Sequence, residues 1–145
     1  MKHRLKKNQF WLHLFTFPFI WFPAIPTLLL DLSMEIYHQV CFPIYGLEKV
    51  KRSDYIQIWD RAKLEYLTPI DKINCAYCGY ANGVFPYLAE ICKRTESYWC
   101  GIMHDSKYSL KARPHHQGFA EYNNKDSFEQ KFPDGNARNN LTNKE

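Results

Sequence analysis

The sequence has no glycine-rich phosphate loop, no Ser-His-Asp arrangement and no internal repeat of useful length, so nothing in it points to nucleotide chemistry, triad hydrolysis or a solenoid. A broad basic face is missing too. The net charge is only +4, and the basic residues stand in short clusters beside apolar sequence: Lys2, Arg4, Lys6 and Lys7, then Lys49, Lys51 and Arg52. Such flanks suit anionic lipid headgroups and argue against a nucleic-acid partner. Acidic and strongly basic side chains are absent from the twenty-one residues Phe10 to Leu30. No small-residue cleavage site follows this run, which predicts a retained anchor rather than a signal peptide. The cysteine count is odd: Cys41, Cys75, Cys78, Cys92 and Cys100 would leave one thiol over in any closed disulfide framework.

At 145 residues the chain has room for one compact domain. Apolar residues make up 46% and aromatics 17%, yet the mean hydropathy is −0.49, so the apolar residues must be concentrated. They are concentrated in FWLHLFTFPFIWFPAIPTLLL, long enough as a helix to cross a hydrocarbon core of about 30 Å. Pro18, Pro23 and Pro26 interrupt it, which predicts two helical pieces joined at Phe22 to Ile25. Pro26 suits the first turn of the second piece, PTLLLDLSMEIYHQVCF, ending near Pro43 and Gly46. On that piece Asp31, Glu35 and His38 form one polar stripe, expensive at membrane depth unless paired or wetted. Glu35 and His38 repeat the Glu-x-x-His spacing of di-iron bundles, but the further ligands such a site needs are missing. A headgroup-level or partner-facing stripe is the preferred reading.

Both basic clusters favour the cytoplasmic side, which a proline-bent hairpin reconciles. SDYIQIWDRAKLEYL reads as an amphipathic helix, and Thr68-Pro69 as the cap and first turn of a short helix leading to Cys75. VFPYLAEICKRT reads as another, from about Phe85 to Arg94.

Between them, Cys75 and Cys78 bracket two residues before Gly79, and Cys100 and His104 follow as Cys-x-x-x-His. That spacing predicts a tetrahedral Cys3His metal site in a reducing compartment, with Cys92 as an alternative ligand. Four protein ligands make the ion structural, zinc first and iron or an iron–sulfur cluster second. Without a metal, Cys100 and His104 would be a thiol–imidazole pair. Cys75, Cys78, Gly79 and Tyr80 resemble the first knuckle of rubredoxins and zinc ribbons, which implies a metal but not its identity. From about Leu28 to Asp105 the chain also resembles a group of bacterial membrane-associated proteins, at Cys75, Cys78, Gly79, Tyr80, Asn82, Gly83, Tyr98, Trp99, Cys100 and His104. The resemblance implies membrane attachment and one unit of architecture, and carries no activity.

The expected architecture is therefore mainly α. It comprises a basic N-terminus (1–9), a membrane-embedded or interfacial hairpin (10–47), a metal-stapled cytoplasmic module (48–112) and a mobile polar tail (113–145). His115 and His116 are expected to be exposed in that tail, and Phe119, Tyr122, Phe128 and Phe132 to dock transiently on a partner. The expected function is non-enzymatic: an accessory protein at the inner (cytoplasmic) membrane, tethered by its hairpin in contact with membrane lipid, with structural zinc and a membrane-protein partner. The alternatives are a small iron or iron–sulfur module passing electrons to a membrane enzyme, and an enzyme using Asp31, Glu35 and His38 or Cys100 and His104.

Overall fold

A computed structural model describes residues 9–108 and 113–133. Four α-helices dominate it: α1 (Gln9–Trp21), α2 (Ala24–Ile44), α3 (Pro69–Trp99) and α4 (Lys125–Lys131). Short 3-10 turns cover Arg52–Asp54, Arg61–Lys63 and Pro114–His116, and among the described residues the one bridge of β type pairs Ile102 with Ala120. The basic residues Lys2 to Lys7 lie outside the described residues. Two compact units are formed, Met1–Gln39 with Lys51–Leu88, and Val40–Val50 with Ala89–Glu145.

The expected reversal between the first two helices is not what the structure shows. Phe22 N donates to Pro18 O at 2.9 Å and Thr27 N to Pro23 O at 3.1 Å, so helical bonding closes over a two-residue interruption. The result is one helix, Leu14–Ile44, of 31 residues, long and apolar enough to cross a membrane. Proline deletes one donor and crowds the preceding turn, which bends a helix. Reversing the chain needs turn residues such as Gly, Asn or Asp, and none stands between Pro18 and Pro26. The predicted C-terminus of α2 holds: Gly46 has φ 68°, Leu47 N reaches Phe42 O at 2.8 Å and Gly46 N reaches Pro43 O at 3.3 Å, a Schellman closure.

In the first unit the expected amphipathic helix after Arg52 is replaced by two 3-10 turns and extended chain. Tyr55-Ile56-Gln57-Ile58-Trp59 is rich in aromatic and β-branched residues, which suit an extended backbone. Its carbonyls press on α3. A Cβ added at Gly83 would stand 2.5 Å from Tyr55 O, and one at Gly79 would stand 2.6 Å from Gln57 O. These glycines therefore make room for a backbone, and neither has a positive φ.

The whole span from Pro69 to Trp99 is one helix of 31 residues, joining the two short helices and the expected knuckle between them, with Pro86 inside it. Its start matches expectation. Thr68 Oγ1 accepts from Asp71 N at 3.2 Å while Asp71 Oδ2 accepts from Thr68 Oγ1 at 2.7 Å, a reciprocal cap. No turn chemistry interrupts the middle, because Ala76, Ala81, Val84 and the cysteines all tolerate helix and the two glycines are held by packing.

In the second unit Arg94 Nη1 donates to Glu48 O at 2.7 Å, and Tyr45 packs on Tyr98 and Trp99 with ring centroids 5.3 and 5.2 Å away. The chain leaves α3 through Gly101, whose φ is 61°. Ala120 N then donates to Gly101 O and Met103 N to Ala120 O, both at 2.8 Å. Asn124 caps α4 by accepting from Ser127 N at 3.0 Å, and Phe132 is buried with its ring where a Gly101 Cβ would lie, 2.8 Å away. Residues 113–133, expected to belong to a mobile tail, are thus folded against the end of α3. Their buried apolar positions, Ala120 and Phe132, are few but well separated in sequence, and composition averages them away.

Candidate functional site

Two clusters of titratable side chains stand out, one in each unit. In the first, the polar stripe of α2 is fully partnered. Arg52 grips Asp31 with two bonds, Nη1 to Oδ1 at 2.8 Å and Nη2 to Oδ2 at 2.5 Å, and lies 3.5 Å from Glu35 Oε2. From α3, Tyr80 donates to Asp31 at 2.7 Å and Tyr87 donates to Glu35 at 2.6 Å. The Tyr87 hydroxyl also lies 3.1 Å from Nδ1 of the buried His38, and its ring carries the Arg52 guanidinium 5.3 Å from the centroid. Burial together with the bond to Asp31 pushes the Tyr80 phenol up to about 12, and burial with the bond to Glu35 pushes Tyr87 up as well. Both phenols therefore stay neutral donors. Each carboxylate faces a cation and a phenol, which satisfies it and leaves no donor position for an ion. Asp31, Glu35 and His38 are brought together, as the sequence expected, but as a fastening between α2, α3 and Arg52.

The four residues expected to form a Cys3His site are not gathered within either unit. Cys75 and Cys78 stand near the start of α3, whereas Cys100 follows its last residue and His104 lies beyond Gly101. All five cysteines are free thiols, with Cys78, Cys92 and Cys100 exposed and Cys41 and Cys75 half-buried.

His104 instead joins a second cluster. Glu96, one turn before the end of α3, presents both carboxylate oxygens to the 3-10 turn Pro114–His116. His115 Nε2 lies 2.7 Å from Oε2 and His116 Nε2 lies 3.3 Å from Oε1, while His104 Nε2 approaches Oε1 at 3.7 Å. Arg113 Nη1 is 3.6 Å from Oε2. Successive side chains on a 3-10 turn diverge by about 120°, and the two oxygens of one carboxylate accommodate that divergence. The His115 and His116 rings stand 4.4 Å apart at 74°. Burial pushes the Glu96 carboxyl up, but hydrogen bonds from His115 and His116 outweigh it and hold the group below the usual carboxylate range. Neighbouring histidines in a polar segment read as exposed; here His116 is buried and His115 nearly so. The signal available in the sequence was Pro114 before the pair and Gly118 after it, turn chemistry rather than disorder.

One ligand atom each from Glu96, His115 and His116 lies within 4.8 Å of the others, so this group can hold a metal ion. Comparison with protein-family models, with curated proteins and with solved structures gives no match to this chain.

Proposed function

We propose that the protein is a membrane-anchored accessory protein that presents a folded helical module to a membrane-protein partner. The observation that carries this reading is the two-sidedness of α2. One side is bound to Arg52, Tyr80 and Tyr87, while Leu29, Leu32, Ile36, Val40 and Ile44 line the exposed side at helical spacing. The preceding stretch from Trp11 to Ile25 exposes large apolar side chains in quick succession, as a lipid-facing segment does. About twenty residues suffice to cross the hydrocarbon core, so the apolar length up to Leu30 serves as anchor. The stripe from Leu32 to Ile44 continues past it, on the part of the helix that holds the polar network. That continuation is the surface offered to the partner.

Orientation follows from charge. With helical bonding running through Phe22–Pro23, a single crossing separates Lys2, Arg4, Lys6 and Lys7 from everything after α2. Arg52 is neutralised by Asp31 and Glu35, which leaves the N-terminal cluster as the stronger retention signal. We therefore favour a cytoplasmic N-terminus with the module on the opposite face, in place of the cytoplasmic module that a hairpin would give.

Alkaline extraction of membranes and thiol labelling in intact cells test both parts. The protein should remain in the membrane fraction, and an impermeant maleimide should label the exposed Cys100 from outside. A photoreactive residue at Ile36 should cross-link to a discrete protein, whereas one at Phe15 should label lipid. Release by alkali would overturn the anchor, and Cys100 reacting only after lysis would reverse the orientation.

A further inference from the structure

We propose that Glu96, His115 and His116 form a divalent transition-metal site, with His104 as the fourth ligand, and that the ion staples the segment after Pro114 to the end of α3. This inference stands apart from the membrane reading, since every residue in it belongs to the second unit.

The donor set comes first. Three imidazoles and one carboxylate suit zinc-like ions, while hard cations prefer oxygen alone. Geometry comes second. Around a tetrahedral ion with bonds of about 2.0–2.1 Å, donor atoms stand about 3.3 Å from one another. His116 and His104 reach Glu96 Oε1 at 3.3 and 3.7 Å, close to that spacing, while His115 lies nearer, 2.7 Å from Oε2. His104 and His116 stand with ring centroids 5.7 Å apart, and the His104 side chain is 53% exposed, so it is free to close over an ion without disturbing packing.

A purely structural Glu–His contact would be better served by a single histidine. Here two consecutive imidazoles and a third from a different loop are spent on one carboxylate, on a segment with little else buried. An ion holding four side chains from three places in the chain supplies the fastening that so small a core lacks.

The thiols offer a competing site of different chemistry, which makes the test discriminating. Detergent-purified full-length protein without a histidine tag is freed of metal, then titrated with zinc and, separately, with cobalt as a spectroscopic probe. One zinc per chain is expected, together with a cobalt spectrum lacking thiolate charge-transfer absorption. Losing even an outer partner of a metal ligand weakens binding about 10–100-fold. His116→Ala and His115→Ala should therefore each weaken zinc by about 100-fold or more, and His104→Ala by less. The double variant Cys75→Ser, Cys78→Ser should bind as the wild type does. If an alanine variant fails to fold by circular dichroism, Glu96→Gln, which keeps the shape of the side chain, decides the question in its place. No zinc uptake, uptake unchanged in the histidine and Glu96 variants, or a thiolate band lost in the cysteine variant would each overturn the proposal.

Discussion

Arg52 and Asp31, twenty-one positions apart, meet in a two-pronged ion pair, with the aspartate side chain only 9% exposed and the arginine 40% exposed. The pair links the far side of the chain reversal at Gly46 back onto α2. It also accounts for a charged residue on an otherwise apolar helix.

Removing Arg52 would leave Asp31 with Tyr80 alone. Truncating one partner of a fully buried pair costs about 3–5 kcal/mol, and the half-exposed arginine lowers that figure. Arg52→Ala is expected to destabilise by about 2 kcal/mol in denaturant unfolding in micelles. Arg52→Lys should recover only part, since an ammonium cannot make two parallel bonds. Equal stability of all three proteins would show that the pair is ornamental.

Gly83→Ala tests the close approach of the extended segment to α3. In an unencumbered helix the change would stabilise by about 1 kcal/mol. Here the new methyl meets Tyr55 O at 2.5 Å and Ile56 Cα at 2.8 Å, both backbone atoms. Destabilisation of about 1–3 kcal/mol is expected, as for overpacking. The sign alone decides, and thermal unfolding reads it.

Gly101 combines a φ of 61° with the Phe132 ring 2.8 Å from where a Cβ would sit. Gly101→Ala should loosen the chain after α3 while sparing the first unit. Hydrogen exchange at Met103 and Ala120 should accelerate about tenfold or more, the factor that corresponds to about 1.4 kcal/mol of local opening. Unchanged exchange at both amides would refute the attachment.

Glu90 gives a dependence on pH. Burial pushes its carboxyl up, but bonds from Arg94 at 3.2 Å and Lys93 at 3.2 Å outweigh this and hold it below its ordinary value. A carboxyl lowered by folding adds stability above its unfolded value, and loses it as pH falls through the folded one. Glu90→Gln should therefore cost about 0.5–1 kcal/mol at neutral pH, as partly exposed pairs do, and almost nothing once the pH is acid enough to protonate the folded carboxyl. A cost that is the same at both pH values would point to shape rather than charge.

Much of the helical architecture was legible from local chemistry. The apolar run beginning at Phe10, the helix start at Thr68-Pro69, and the stop at Gly46 depend on neighbours a few positions away, and the structure keeps all three. At Phe22 to Ile25 a missing donor bends the helix but does not turn it back. Gly79 is ambiguous on local chemistry. The same residue serves a metal knuckle and a helix pressed by a neighbouring backbone, and only the neighbour distinguishes them.

Sequence alone determined which stretches are apolar, that one helix stops at Gly46 and another starts at Pro69, and that Asp31, Glu35 and His38 share one face of a helix. The tertiary structure decided what meets that face, and which carboxylate collects the histidines. Spacing fixes direction around a helix axis within a few turns. The meeting of Glu96 with His115 depends on the path of the chain through Gly101 and Ala120, which no local period encodes.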